Sequence, residues 1–139
     1  MSLLIRREHC FAELKQKALR RFTDAEPFAV DEVLERLVEL GYLSDSRFAE
    51  SFIRFRSKKG IGPRRILSEL AQKCCDPDAI ERSMAESEVD WATILRNEAQ
   101  KKLKSLKKVT KDQRNSKLTR FLLYRGFDMD AIKACIAEL

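Results

Sequence analysis

A triple repeat of apolar positions constrains the fold of this chain more than any other feature. Leu14, Ile66 and Leu118 lie at intervals of 52 residues. In the same helix, the other matching sets are Ala18, Leu70 and Leu122, and then Arg21, Lys73 and Arg125. In the next helix, the matching sets are Phe28, Cys75 and Phe127, then Val33, Ile80 and Ile132, and then Leu37, Met84 and Ile136. The repeat predicts three helical hairpins that stack and share a core.

Apolar side chains within each copy recur at intervals of three and four residues, which is the periodicity of an amphipathic helix. Each hairpin follows a third helix, at residues 45–58 and 89–106, with only a short stub at residues 2–7 before the first hairpin. We therefore predict an all-α fold of eight or nine helices and no sheet. Three tandem three-helix repeats should form an elongated, curved array. The predicted repeats are residues 1–43, 44–87 and 88–139.

Glycine and proline positions set the predicted helix boundaries. The pair Gly62-Pro63 suits the start of a helix, whereas Gly41 and Gly126 suit the residue after a helix end. Five additional residues, 23–27, lengthen the turn of the first hairpin, and an insertion at a turn costs little. Residues 107–116 are rich in basic side chains and are predicted to form a flexible loop.

The repeat also assigns roles to two of the four cysteines. Cys74 aligns with Gly126, so it should end its helix with a positive φ, which costs a residue with a Cβ on the order of 1 kcal/mol. Cys75 aligns with Phe28 and Phe127 and should be buried. Because the cysteines form no C-x-x-C pair, we expect reduced, structural thiols.

Charge is distributed in blocks behind the net charge of +6. Residues 41–75 carry eight basic and three acidic side chains, and residues 91–127 carry eleven and two. Between them, residues 76–90 carry one basic and six acidic side chains. Basic segments of this kind attract a polyanion or an acidic protein surface, although a solvated basic surface has the same composition.

Several function classes find no support in the sequence. Apolar runs are too short to span a membrane and the first residues lack a signal peptide, so we expect a cytoplasmic protein without membrane contact. His9 lies beside charged residues at a helix start and is expected to be a structural or a surface residue. The acidic residues of 76–90 lack the spacing of a calcium loop, and no nucleophile is paired with a base. We expect no enzyme activity, no metal and no cofactor.

Four motifs, in order, resemble segments of the RecX family. Residues 41–49 are similar to the family's G-[YL]-L-x-D-x-R-F-A, and residues 59–70 to K-G-x-G-P-x-x-I-x-x-E-L. Residues 6–14 are similar to R-R-E-[HY]-S-x-x-E-L, and residues 121–127 to F-L-x-x-R-G-F. Cys10 stands where the family has serine, which weakens the capping box at that helix start.

The resemblance implies three stacked three-helix units and a non-enzymatic regulator of recombination, DNA repair and the SOS response. It implies binding along the groove of the RecA filament on single-stranded DNA, with inhibition of ATP hydrolysis and strand exchange. Some members also bind DNA, so single- or double-stranded DNA is a further expected partner. The N-terminus is shorter than the family pattern by most of one helix. We expect the chain to be a monomer.

Two basic clusters provide the candidate contact residues. The first cluster surrounds the turn at 60–62 and consists of Arg54, Arg56, Lys58, Lys59, Arg64 and Arg65. Its arginines can grip carboxylates or phosphates bidentately, and free amides at the helix start near Pro63 should add positive charge. The second cluster carries charge with less geometric specificity. It consists of Lys101, Lys102, Lys104, Lys107, Lys108, Lys111 and Arg114.

A free-standing DNA-binding helical module is the alternative interpretation. The helix pair joined at residues 60–62 has the outline of a helix-turn-helix, whose second helix reads bases through Asn, Gln or Arg side chains. That helix offers only Arg64, Arg65 and Gln72 beside much apolar surface. The sequence therefore favours the filament regulator.

Overall fold

The structure is a computed structural model that describes residues 8–139, and these residues form eight α-helices and no strand. The helices are α1 (Phe11–Arg21), α2 (Pro27–Glu39), α3 (Asp45–Lys58), α4 (Pro63–Gln72), α5 (Pro77–Glu86), α6 (Trp91–Ser105), α7 (Lys111–Arg125) and α8 (Met129–Ala137). The prediction of an all-α fold is confirmed. The predicted stub at residues 2–7 lies outside the described residues.

The chain divides into two compact units, and the boundaries between them fall within α3 and α4. The acidic unit contains the described residues up to Phe52 together with Glu69–Ser87. Segments 1–52 and 69–87 of the sequence carry 10 basic and 15 acidic residues. The basic unit contains Ile53–Ser68 and Glu88–Leu139, which carry 18 basic and 7 acidic residues. None of the described helices combines the length and the apolar character needed to cross a membrane.

Each unit has its own apolar cluster. In the acidic unit, Leu14 of α1 packs with Val30 and Leu34 of α2 and with Leu43. In the basic unit, the buried cluster draws on α6, α7 and α8 and consists of Leu95, Ala99, Leu118, Leu122, Phe127, Ile132 and Cys135. Helical periodicity predicts one apolar stripe around α2, which consists of Phe28, Val30, Val33, Leu34, Leu37, Val38 and Leu40. Four of these side chains are exposed instead, namely Phe28, Val33, Val38 and Leu40.

The second helix of the first hairpin departs from the predicted register. α2 and α5 begin at Pro27 and Pro77, and the buried residues three positions later are Val30 and Ile80. The predicted equivalences of Ile80 with Val33 and of Cys75 with Phe28 are wrong, because Val33 is 61% exposed and Phe28 is 70% exposed. The two prolines are 50 residues apart, against 52 for the preceding helices, so the first turn has two additional residues rather than five. Two positions that are three residues apart in a helix are separated by about 300°, which is nearly a full turn, so they lie on similar faces. Apolar spacing alone therefore does not distinguish the two registers.

The predicted loop over residues 107–116 is too long, because α7 begins at Lys111. The hydroxyl of Thr110 accepts a hydrogen bond from the Gln113 amide at 3.2 Å. In return, the Gln113 side chain accepts one from the Thr110 amide at 3.1 Å. This capping box starts the helix within a polar segment. Its Thr-x-x-Gln signature is present in the sequence and was the signal for the earlier start.

Four of the helices are followed, one or two residues after their last residue, by a residue with a positive φ. These residues are Gly41, Gly60, Cys74 and Gly126. In each case the amide of that residue donates to the carbonyl three positions back, and the next amide donates to the carbonyl five positions back. This pattern is the Schellman motif, which favours glycine. Cys74 adopts a φ of 56° and is exposed, and Cys75 is 3% exposed. Both cysteine predictions are confirmed.

Asp45 joins three helix starts in the acidic unit. It is the first residue of α3, and one of its carboxylate oxygens accepts a hydrogen bond from the Phe11 amide of α1 at 2.7 Å. The other oxygen accepts one from the Asp76 amide, just before α5, also at 2.7 Å. Cys10 precedes α1 and forms no side-chain cap bond, as its replacement of serine predicted. The Asp45 carboxylate therefore accepts a hydrogen bond from the first amide of α1, at a helix start where Cys10 provides no side-chain cap.

Candidate binding surface of the basic unit

All the predicted contact residues lie in the basic unit, and each is exposed or half-buried. The first cluster follows the chain through the last turns of α3, the connecting turn and the first turn of α4. Residues 53–68 contain six basic and no acidic side chains. This stretch is therefore a continuous source of positive potential.

The two glycines of the connecting turn have different structural reasons. Gly60 has a φ of +83°, and a Cβ added to it would overlap the carboxylate of Glu98, a buried residue of α6. A Cβ on Gly62 would lie 2.6 Å from the carbonyl group of Gly126. In the Lys-Gly-x-Gly-Pro motif, the first glycine is thus explained by its positive φ and the second by the close approach of the Gly126 backbone.

The start of α4 is docked against the end of α7. The Gly62 amide donates to the Arg125 carbonyl at 2.7 Å, and the Arg64 amide donates to the Gly126 carbonyl at 3.0 Å. The expectation of free amides at this helix start is therefore wrong at Gly62 and Arg64. The positive end of one helix dipole meets the negative end of another, which stabilises the contact.

Arginine and tyrosine side chains line an open cleft at this junction. The Arg65 guanidinium lies 5.0 Å from the centre of the Tyr124 ring, and its Nη1 donates to the Tyr124 carbonyl at 3.4 Å. The Arg64 side chain is exposed and has no hydrogen-bond or ion-pair partner among residues 8–139. The cleft has a volume of about 330 Å³ and is lined by Arg64, Arg65, Leu123, Tyr124, Gly126 and Phe127.

Aromatic rings accompany other cations of the first cluster. The ammonium group of Lys59 lies 5.2 Å from the centre of the exposed Phe55 ring. The Lys59 carbonyl accepts a hydrogen bond from Arg125 at 3.3 Å, and the Arg125 guanidinium also lies 5.1 Å from the Phe121 ring. Sequence reasoning missed these aromatic residues as part of the surface. Their signal was the alternation of aromatic and basic residues in 52–59 and 120–125.

The second cluster is spread along α6, the connection after it and the start of α7. Lys101 forms an ion pair with Glu98 at 3.4 Å, and Lys104 is exposed. Lys108 lies in the connection with a φ of 58°. Arg114 donates two hydrogen bonds, at 3.0 and 3.1 Å, to the side chain of Asn115. Only part of this charge is therefore available as unpaired lysine.

The described residues offer little for covalent or metal chemistry. They contain no group of three His, Cys, Asp or Glu side chains that could hold a metal ion. Burial raises the pKa of the Cys10 and Cys135 thiols, and it raises the pKa of Cys75 to about 12. These thiols are protonated at neutral pH and are poor nucleophiles. The arrangement suits ionic and stacking contacts with a partner.

Comparison with known proteins agrees with the helical repeat. Two family models match the chain, for the second three-helix domain of RecX over residues 44–84 and for the third over residues 88–136. Regulatory protein RecX of Pseudomonas entomophila strain L48 is 45% identical over 133 residues, which cover 95% of this chain and 83% of that protein. Regulatory protein RecX of Pseudomonas fluorescens strain Pf-5 is 39% identical over 99% of this chain and 86% of its own length.

Solved structures show the same fold. A crystal structure of RecX from Lactobacillus salivarius superposes with a TM-score of 0.86, at 23% identity, over 99% of this chain and 90% of that one. A second RecX crystal structure gives a TM-score of 0.85 at 18% identity, over 99% of this chain and 69% of that one. The fold and the sequence matches define a regulatory protein built from three-helix domains. The chain belongs to the RecX family.

Proposed function

We propose that this chain binds the filament that RecA forms on single-stranded DNA and lowers its ATP hydrolysis and strand exchange. Membership of the RecX family supports this function. We further propose a monomer in the cytoplasm that also contacts DNA. The first basic cluster supplies the primary contact surface, and the second cluster adds charge.

The observation that carries the proposal is the placement of Arg64. Its guanidinium is exposed and lacks a partner among the described residues, while its amide is bonded to Gly126. A cation on a fixed backbone loses less conformational freedom on binding than one on a mobile loop. A guanidinium also matches the two oxygens of a carboxylate or a phosphate, and a filament on DNA presents both.

Repeated contact sites on the filament and on this chain can strengthen individually weak contacts. A helical filament presents the same groove many times, and the chain offers a second basic cluster on α6 and α7. When two contacts are linked, the second forms at a high effective concentration. Individually weak ionic contacts then give tight binding.

The test is RecA ATP hydrolysis on single-stranded DNA, measured against increasing concentrations of the protein. We expect inhibition by the parent, and an inhibitory concentration roughly three- to tenfold higher for Arg64→Ala. The double variant Arg64→Ala with Arg65→Ala should inhibit more weakly still and remain folded. Added salt should weaken inhibition, because exposed charges are screened beyond about 8–10 Å at physiological ionic strength. Arg20→Ala is the matched control, since Arg20 is an exposed arginine of the acidic unit.

Two results would overturn parts of the proposal. If the folded double variant inhibits like the parent, this surface is not the contact, and the segment Lys101–Arg114 is the next candidate. If the parent leaves RecA unaffected but binds duplex DNA with sequence preference, the DNA-binding module replaces the filament regulator.

A further inference from the structure

An exposed aromatic residue lies beside Arg64 without a structural reason for its exposure. Tyr124 is in the last turn of α7 and is 72% exposed. It occupies one of the two unspecified positions of the F-L-x-x-R-G-F motif. The helix end needs Gly126 and the core needs Phe127, which is buried, but neither requirement extends to Tyr124. The packing of the fold therefore does not explain why a tyrosine is exposed at this position.

The backbone that carries the ring is held by neighbouring residues. The Arg65 guanidinium lies 5.0 Å from the centre of the ring, and its Nη1 donates to the backbone carbonyl of Tyr124 at 3.4 Å. Behind both residues, the start of α4 and the end of α7 are joined by the backbone hydrogen bonds of Gly62 and Arg64. A ring on a fixed backbone loses less conformational entropy when a ligand stacks on it than a ring on a mobile loop.

We propose that this cleft is a stacking site for an unpaired base of single-stranded nucleic acid. The base stacks on Tyr124 within the cleft of about 330 Å³, and Arg64 pairs with a neighbouring phosphate. Proteins that hold single strands combine aromatic platforms with positive charge, because each base has a π-face and each link has a phosphate. Paired bases are stacked inside a duplex and offer no free face, so the site selects single strands.

The surroundings favour nucleic acid over a protein partner. The basic unit carries 18 basic and 7 acidic residues, and its segment 53–68 has no acidic side chain. A second exposed ring, Phe55, lies on this segment with Lys59 5.2 Å from its centre. Exposed rings paired with cations match a ligand in which bases and phosphates alternate.

The stacking site rests on the proposed function and adds a ligand contact to it. The binding test uses the full chain without RecA, so a failure of the stacking site can be distinguished from a failure of the proposed function. Fluorescence anisotropy compares a labelled oligo-dT with an abasic oligonucleotide of equal length. Both probes have phosphates, but only the first has bases. We expect the parent to bind oligo-dT roughly tenfold more tightly than the abasic strand. Tyr124→Ala should remove that preference and leave binding of the abasic strand unchanged. Tyr124→Phe should retain the preference, because phenylalanine also stacks.

Phe22→Ala is the matched control. Phe22 is 60% exposed and has the Arg21 guanidinium 5.9 Å from its ring, but it lies in the acidic unit. This variant should bind both probes like the parent, and circular dichroism should show that each variant is folded. Equal binding of the two probes by the parent, or an unchanged preference in Tyr124→Ala, overturns the stacking site. If Tyr124→Ala keeps the preference for oligo-dT and, in the separate RecA ATP-hydrolysis assay described above, inhibits less than the parent, the cleft binds protein instead.

Discussion

The junction around Asp45 in the acidic unit and the junction between α4 and α7 in the basic unit secure helix starts in different ways. In the acidic unit, the Asp45 carboxylate accepts the amides of Phe11 and Asp76. In the basic unit, the amides of Gly62 and Arg64 donate directly to backbone carbonyls at the end of α7. The first solution needs a negative side chain, whereas the second uses backbone alone. A backbone junction therefore adds no negative charge beside Arg64 and Arg65, and the surface there stays basic.

This difference shows how similar helical hairpins can support different surfaces. The unit with the carboxylate junction carries an excess of five acidic residues, and the unit with the glycine junction carries an excess of eleven basic ones. We expect the loss of either junction to lower the unfolding free energy of the protein. At Gly62 the reason is steric overlap, and at Asp45 it is the loss of two hydrogen bonds.

The largest effect is expected for Gly62→Ala. The added Cβ would lie 2.6 Å from the Gly126 carbonyl group, so α4 and α7 must separate and lose their hydrogen bonds. We expect a loss of about 3 kcal/mol of unfolding free energy, at the upper end for overpacking. The matched control is Gly41→Ala, where no atom lies within 4 Å and only the φ of +81° is unfavourable, at about 1 kcal/mol.

Urea unfolding followed by circular dichroism compares the two glycine variants. The single tryptophan, Trp91, lies in the basic unit, so its emission reports the change at Gly62 separately. Equal losses in Gly62→Ala and Gly41→Ala would mean that the close junction is not a determinant of stability.

Removing the carboxylate junction with Asp45→Ala comes next. Two amide hydrogen bonds at 2.7 Å are lost, and bonds to a charged acceptor are stronger than neutral ones. We expect the unfolding free energy to fall by about 2–3 kcal/mol, measured by urea unfolding. Asp78→Ala is the control, because Asp78 is an exposed acidic residue in the first turn of α5. A result for Asp45→Ala within the range of that control would show that water replaces the carboxylate without cost.

The sequence was sufficient for the helices and for most of their ends, because apolar periodicity and glycine positions are local signals. It predicted the positive φ at Cys74 and the burial of Cys75, since both follow from aligning the second repeat with the third. It aligned Val33 with the buried Ile80, although the buried equivalent is Val30, because both choices satisfy helical spacing.

The candidate surface was predictable in composition but not in geometry. Basic residues around the turn at 60–62 stand out in the sequence. The pairing of Arg65 with Tyr124 joins residues 59 positions apart, and the Gly62–Gly126 contact occupies amides that were expected to be free. Such contacts depend on tertiary packing, for which a single sequence carries no direct signal.

A smaller effect, which depends on pH, is expected at Cys75. Burial raises the pKa of its thiol to about 12, so the folded protein favours the protonated form. This contribution to stability is complete below the unfolded pKa, near 8.5, and is lost as the pH rises toward 12. Cys75→Ser should cost roughly 1–3 kcal/mol at pH 7 through a buried hydroxyl.

Because serine does not titrate in this range, that cost should shrink by about 2 kcal/mol between pH 8 and pH 10. Urea unfolding at the two pH values measures it, and Cys74→Ser, at an exposed position, is the control. Thiol labelling of the native protein should also be fast at Cys74 and slow at Cys75. Equal rates at both thiols, or a cost that does not change with pH, would contradict burial as the cause of the raised pKa.

The smallest effect is expected for Cys74→Gly, which compares the same helix end in the two units. Gly126 in the basic unit cannot carry a side chain, because a Cβ there would overlap Arg65 as well as strain its φ of +103°. Cys74 occupies the aligned position in the acidic unit with a φ of 56°, and its side chain is exposed to solvent, so strain alone remains.

Glycine relieves on the order of 1 kcal/mol of that strain but also gives the unfolded chain more freedom, which returns about 0.4–1 kcal/mol. We therefore expect Cys74→Gly to be neutral or stabilising by a few tenths of a kcal/mol. Cys74→Ala, which keeps the Cβ, should leave the unfolding midpoint unchanged. A clear loss of stability in Cys74→Gly would mean that the cysteine side chain itself contributes at this helix end.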